Sequence, residues 1–158
     1  MKNKITPEPY YTLIDTSIGN DPAVVVVNSA LRNFKDLAAF PWHLRICIDC
    51  KIQDKNGMPT TEETEALHKL EVSIATPLQA THNAIFLARI TARKQRVLLY
   101  RVHAPEAAND ILQTLSKEDT PLREWEYEME HDAAWELAKP ELHLLEQDSR
   151  FNQDAMQS

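Results

Sequence analysis

Glycine is nearly missing from this chain: two residues in 158. Phosphate-binding loops of the P-loop and dinucleotide type need several glycines close together, so both are excluded. Cysteine is as scarce, with Cys47 and Cys50 alone. One disulfide is the most they could make, and nothing argues for an oxidising compartment. No stretch approaches the roughly 18 apolar residues that cross a bilayer. Residues 1–20 carry Lys2 and Lys4, followed by prolines and polar residues rather than the apolar block of a signal peptide. These absences predict a cytoplasmic protein with no membrane partner.

Positive charge is also in short supply. Seventeen Lys and Arg face 24 Asp and Glu, for a formal charge of −7. Such a surface repels phosphate backbones, so direct nucleic-acid binding is not expected, and a basic protein suits it better. What is present is ordinary for a globular domain, with 43% apolar and 26% charged residues. The length suits one domain, residues 1–147, followed by a flexible tail at 148–158.

Between Trp42 and His131 the hydrophobic period runs from two to about three and a half and back, in the order β-α-β-β-α-β. This predicts an α+β fold: a ferredoxin-like split βαβ antiparallel sheet, in spatial order fourth, first, third, second strand. The first strand is expected over 42–53, alternating cleanly. Thr60 and Glu63 have capping-box spacing ahead of a helix carrying Leu67, Leu70, Ile74 and Leu78 on one stripe, ended by Pro77. Strands over 83–92 and 96–103 meet in a tight turn near Lys94-Gln95. A second helix over 104–116 turns Ala107, Ala108, Ile111, Leu112 and Leu115 inward, and a fourth strand spans 122–131. Ahead of this unit, residues 1–40 read as a β-β-α extension, with strands near 10–14 and 23–27 and a helix over 29–39. Behind it, Asp132 caps a C-terminal helix over 132–147, interrupted at Pro140, with Trp135 packing it onto the sheet.

The alternation assigns faces. Trp42, Leu44, Ile46, Ile48, Phe86, Ala88, Ile90, Leu98, Tyr100, Val102, Trp125, Tyr127 and Met129 are expected under the helices. Outward lie Glu124, Glu126, Glu128 and Glu130 as a carboxylate ladder, beside Arg45, Asp49 and Lys51. Val97, Leu99, Ile85, Leu87, Arg89 and Arg101 complete the outward face. Its aliphatic part is an apolar patch awaiting a cover, either the Val24–Val27 run of the extension, a partner, or a second copy in a homodimer.

No catalytic or metal constellation emerges, and no cofactor is implied. Cys47 and Cys50 have C-x-x-C spacing, but an offset of three along a strand sends them to opposite faces, where they cannot share a metal. The histidines (43, 68, 82, 103, 131 and 143) show no metal-binding spacing. His43 and His103 are placed at opposite ends of the first and third strands, taken as parallel.

Asn28-x-x-Leu31, Asn56-Gly57-Met58-Pro59-Thr60 followed by acidic residues, and Asp132-x-x-Trp135 resemble the bacterial family catalogued as domain of unknown function 695, over about residues 10–140. The resemblance implies an α+β domain and carries no catalytic residues with it. It also implies a fold-level similarity to the regulator that inhibits ribonuclease E. An aromatic often follows the terminal Trp in that pattern, whereas here Glu136-Leu137-Ala138 stands in its place.

The expected function is therefore non-enzymatic: a protein-binding module, an acidic inhibitor or immunity-type protein neutralising a basic toxin or nuclease. Its partner-binding residues would be Glu124, Glu126, Glu128, Glu130, Arg45, Asp49 and Lys51, in a monomer or homodimer. A ribonuclease-regulator-like protein is one alternative. Another is a small-ligand sensor or enzyme with a pocket between the N-terminal extension and the sheet, using His43, Arg45 and Arg101.

Overall fold

A computed structural model describes residues 6–118 and 122–147, so the expected tail at 148–158 lies outside the described residues. Six strands form one antiparallel sheet: β1 (Tyr11–Ile18), β2 (Asp21–Asn28), β3 (Trp42–Asp49), β4 (Ala84–Ala92), β5 (Gln95–Val102) and β6 (Trp125–His131). Their spatial order is β1-β2-β4-β5-β3-β6. Three helices accompany them: α1 (Thr61–Gln79), α2 (Pro105–Ser116) and α3 (Lys139–Gln147).

The helix-side core forms as the alternation requires. Leu44, Ile46, Ile48, Leu98, Tyr100 and Val102 pack against Leu67, Leu70, Ile74 and Leu78 of α1 and Ala108 and Leu112 of α2. Trp125, Tyr127 and Met129 close the β6 end of this cluster. In α2, Ala107 is exposed rather than inward, and Ile111 and Leu115 are half-buried. Thr60 caps α1 by accepting from the Glu63 amide at 3.3 Å. The reciprocal half of the box is missing: Glu63 turns away, accepts the Lys51 amide at 2.6 Å and pairs with Arg123. Pro77 lies inside α1, which runs on to Gln79.

One register shift changes the face assignment. Phe86 pairs with Tyr100 and Ala88 with Leu99, so Leu87 is an extra residue on β4, a β-bulge. Beyond it the parity inverts. Ala88 and Ile90, expected under the helices, belong to the clusters on the other face, while Arg89, expected outward, reaches Glu71 of α1. Asn28 accompanies the irregularity: fully buried, it donates to the Phe86 carbonyl at 2.9 Å and accepts the Tyr10 amide at 3.1 Å.

The N-terminal strands do not lie over the apolar patch; they extend the sheet, β2 pairing with β4 and β1 with β2. The cover comes from elsewhere in the chain. Residues 29–39, expected as a helix, form two 3₁₀ turns, Ser29–Asn33 and Leu37–Ala39, and Leu31 of the first and Phe40 just after the second pack on Ile85, Leu87, Val97 and Leu99. Trp135, Ala138 and Leu142 join that cluster, and Leu145 of α3 seals Val25 and Val27. The proposed homodimer through this face has lost its surface, because the face is interior. Pro140, expected to interrupt the last helix, instead sits in the first turn of α3, where a missing N–H costs nothing.

The β4–β5 hairpin turns at Arg93-Lys94, one residue earlier than expected, with both in the left-handed region at φ of 50° and 67°. Positive φ at both central positions matches the right-handed strand twist. Its cost is offset by bonds from the Lys94 amide to the Gly57 carbonyl and from the Cys50 amide to the Lys94 carbonyl. Strand β3 ends at Asp49 and not at residue 53.

Replacing Asn28 with Ala should lower the unfolding free energy by about 1–3 kcal/mol, since the Phe86 carbonyl and Tyr10 amide lose their partner together. Urea denaturation measures it, and an unchanged midpoint would count against a structural role for this residue.

Candidate functional site

Strand β6 lies at the border of the sheet and alternates half-buried Trp125, Tyr127 and Met129 with exposed Glu126, Glu128 and Glu130. Glu124, just before the strand, is exposed and accepts the Asp49 amide through its carbonyl at 2.9 Å. Neighbouring carboxylates stand about 6.5–7 Å apart along such a strand. Across the ladder Arg45 pairs with Glu128, Cys47 with Glu126 and His43 with Glu130. Arg45 and Asp49 are exposed on the same strand, β3. Lys51 is exposed too but lies past the end of β3, with its backbone tied to Glu63, so it is not in the row.

Arg45 also donates to the Cys47 sulfur at 2.7 Å. Burial pushes the Cys47 thiol up, with the Arg45 charge acting in the opposite sense. Cys47 belongs to one core cluster and Cys50 to the other, on opposite sides of the sheet. Both are free thiols.

Arg101, a candidate ligand-binding residue from the sequence, is fully buried and fully engaged. Its guanidinium donates to Asp132 Oδ2 at 3.0 Å, to the Asp132 carbonyl at 2.6 Å and to the Phe40 carbonyl at 3.3 Å. It stacks over the Trp135 ring, 4.5 Å from the centroid. Trp135 in turn donates to the Leu37 and Phe40 carbonyls at 2.9 and 3.1 Å, and it takes a left-handed backbone at φ 60°. Asp132 accepts the Glu136 and Leu137 amides, capping the 3₁₀ turn ahead of α3. Of the three residues expected in a pocket between the N-terminal extension and the sheet, Arg101 is therefore closed off, whereas His43 and Arg45 line open space that Ile18 of β1 also borders. His43 and His103 are at the same end of the sheet, since β3 and β5 are antiparallel with Trp42 opposite Val102.

An open groove of about 410 Å³ does exist, between the sheet and the start of α3. Ile90, Val97 and Leu99 form its floor, Leu137 and Pro140 its roof, and His43, Arg45 and Glu141 reach into it. His43 is pushed down to about 4, chiefly by burial and then by the Arg101 charge, so it is neutral at neutral pH. Glu141 is raised to about 7 by desolvation. Sequence reasoning passed over Glu141, because a single Glu after Pro140 in a polar stretch gives no signal of its burial. It equally missed two buried ion pairs: Glu63 with Arg123, and Glu71 with Arg89, which only the bulge turns toward α1.

Arg101→Met should destabilise the protein by about 3–5 kcal/mol, because the buried Asp132 carboxylate loses its counter-ion; chemical denaturation reads it. Glu141 holds its proton more tightly folded than unfolded, so its contribution to stability declines as pH rises from about 4.5 to about 7. Glu141→Gln should then raise the melting temperature at pH 8 and leave it nearly unchanged at pH 4, and equal shifts at both would refute the assignment.

The motif residues seen in the sequence all have structural work. Asn28 and Leu31 seat the N-terminal segment, and Asp132 and Trp135 enclose Arg101. Residues 54–60 form a turn with Gly57 at φ 80° that leads into the Thr60 cap. Neither a curated protein nor a solved structure matches the chain, so the fold-level likeness to the ribonuclease E regulator remains an expectation. The family of unknown function DUF695 matches over residues 11–138. The match covers most of the chain and includes all three motifs, with Asp132 and Trp135 near its end, and the chain belongs to that family.

Proposed function

We propose that the protein is a non-enzymatic binding module that recognises a basic protein partner through the uncovered half of its sheet. The observation that carries this reading is the exposed glutamate row at Glu124, Glu126, Glu128 and Glu130, held on a border strand, with no ion pair to it among the described residues. Residues 29–40 and α3 cover the β2, β4 and β5 part of that face, while the β6 carboxylates stay in water. A fixed row of negative charge raises the encounter rate with a positive surface and makes binding salt-sensitive. Nucleases and many toxins carry basic clefts, and an inhibitor or immunity-type protein of this charge would steer toward them. Arg45 and Asp49 would set register at the inner border of the row. Lys51 has a lesser part, since it lies past the strand.

Strands β6, β3, β5 and β4, in that order, with α1 and α2 on one side, support reading residues 42–131 as a ferredoxin-like unit. Two free cysteines accord with action in the cytoplasm.

The test is retention of a basic protein by the wild type and by the triple variant Glu124→Lys, Glu126→Lys, Glu128→Lys. All three side chains are exposed, so the variant should keep its circular dichroism and melting behaviour. Binding at low salt, release at high salt and loss in the variant are expected. Equal affinity of wild type and variant for the same isolated partner would reject the reading.

A further inference from the structure

The groove between the sheet and the first turn of α3 adjoins the glutamate row and shares Arg45 with it, but its chemistry points to a different kind of ligand. We propose that it is a binding site for a small organic anion: a carboxylate on a compact apolar body.

The volume, about 410 Å³, falls within the range of small-ligand sites. Apolar side chains from β4 and β5 make the floor, and Leu137 and Pro140 overhang it, so an aliphatic or aromatic body would be shielded from water on two sides. Polar groups gather along one border. His43 is 7% exposed, and its Nδ1 lies 3.3 Å from an Arg101 nitrogen. A guanidinium can only donate, so Nδ1 must accept, and the proton of the neutral ring is on Nε2. That Nε2 has no hydrogen-bond partner among the described residues. No wholly buried side-chain nitrogen or oxygen among them lacks a partner, so Nε2 must reach open space, and the groove is the space His43 lines. The buried Arg101 network thus presents a fixed N–H donor to the cavity.

Arg45 follows two residues later on the same face of β3, about 6.5–7 Å on. One of its nitrogens is held by Cys47, and the remaining N–H groups have no partner among the described residues. Gln95 and Arg93 also line the groove, but Gln95 donates to Asp49, and Arg93 to Asp21 and the Ile18 carbonyl. Among the described residues, the one carboxylate lining the groove is Glu141, whose hydrogen-bond partner is its own backbone amide; raised to about 7 by desolvation, it is largely protonated in mildly acidic solution and does not repel an anion there. Donors outnumber acceptors, which selects an anionic head over a cation. A carboxylate between the His43 donor and the Arg45 guanidinium would make charge-assisted bonds, with its apolar body lying toward Val97 and Leu99.

Phenylacetate is a suitable probe and phenylacetamide its uncharged counterpart, both titrated at pH 6 into the full chain and followed by NMR. Phenylacetate should shift the His43 ring and Leu99 methyl resonances with a dissociation constant of about 1 mM or tighter. Phenylacetamide should bind at least about tenfold more weakly, and Arg45→Gln should weaken phenylacetate by about tenfold or more. Leu137→Trp, at an exposed position of the roof, should fill the groove and abolish the shifts while the fold stays intact. Absence of shifts at these resonances, equal binding of the amide, or unchanged affinity in Arg45→Gln or Leu137→Trp would each overturn the proposal. The glutamate triple variant should bind phenylacetate as the wild type does, so failure here and failure of the protein-binding reading can be told apart.

Discussion

A single buried cation ties the two ends of this fold together. Arg101 sits on a central strand with no exposure to solvent, where an unpaired charge would cost several kcal/mol. Asp132 supplies the counter-charge, the Phe40 and Asp132 carbonyls take up further N–H groups, and Trp135 lies over the guanidinium plane. Each of these partners belongs to a segment with little structure of its own. Residues 37–41 are a 3₁₀ turn and a linker, and residues 132–138 are another turn. Phe40, Trp135 and Ala138 have apolar surface to bury on the sheet, and the cation adds directed bonds that fix where both segments lie. With it, both fold over the apolar half of the sheet and enclose Ile85, Leu87 and Leu99.

That arrangement divides the face into two zones with different uses. Where the covering segments lie, the sheet is interior. Where they stop, the sheet meets solvent as charge: the β6 glutamates with Arg45 and Asp49. The groove opens at the boundary, lined by Ile90, Val97 and Leu99 of the sheet and by Leu137, Pro140 and Glu141 at the start of α3. His43 belongs to both worlds. One ring nitrogen is consumed by the buried network, and the other is left for the cavity. Structural and functional readings of this residue are thus the same geometry seen from two sides.

The family motifs illustrate how a sequence pattern can mark architecture and not chemistry. Asn28 bonds to the backbone of Phe86 on β4 and of Tyr10 just ahead of β1, Gly57 supplies a left-handed turn beneath the β4–β5 hairpin, and Asp132 and Trp135 hold Arg101. Short polar residues at such points look like site residues in a sequence, because they are polar and spaced within an apolar setting. Their partners are main-chain groups and a buried guanidinium.

Alternation of period two and period three-and-a-half determined the element order, the helix-side core and the outward glutamates, because each depends only on side-chain direction within one segment. The opposite directions of Cys47 and Cys50 were legible for the same reason. Tertiary structure decided what depends on contacts between distant segments. A bulge at Leu87 moved Ala88, Arg89 and Ile90 to the other side of the sheet, and nothing in that apolar run signals an extra residue. The N-terminal strands joined the sheet where its β4 border offered free backbone bonds, instead of lying over its face. Arg101 became an interior anchor and Glu141 a half-buried acid, since burial of a charge is set by what folds over it, and its immediate neighbours in sequence carry no record of that.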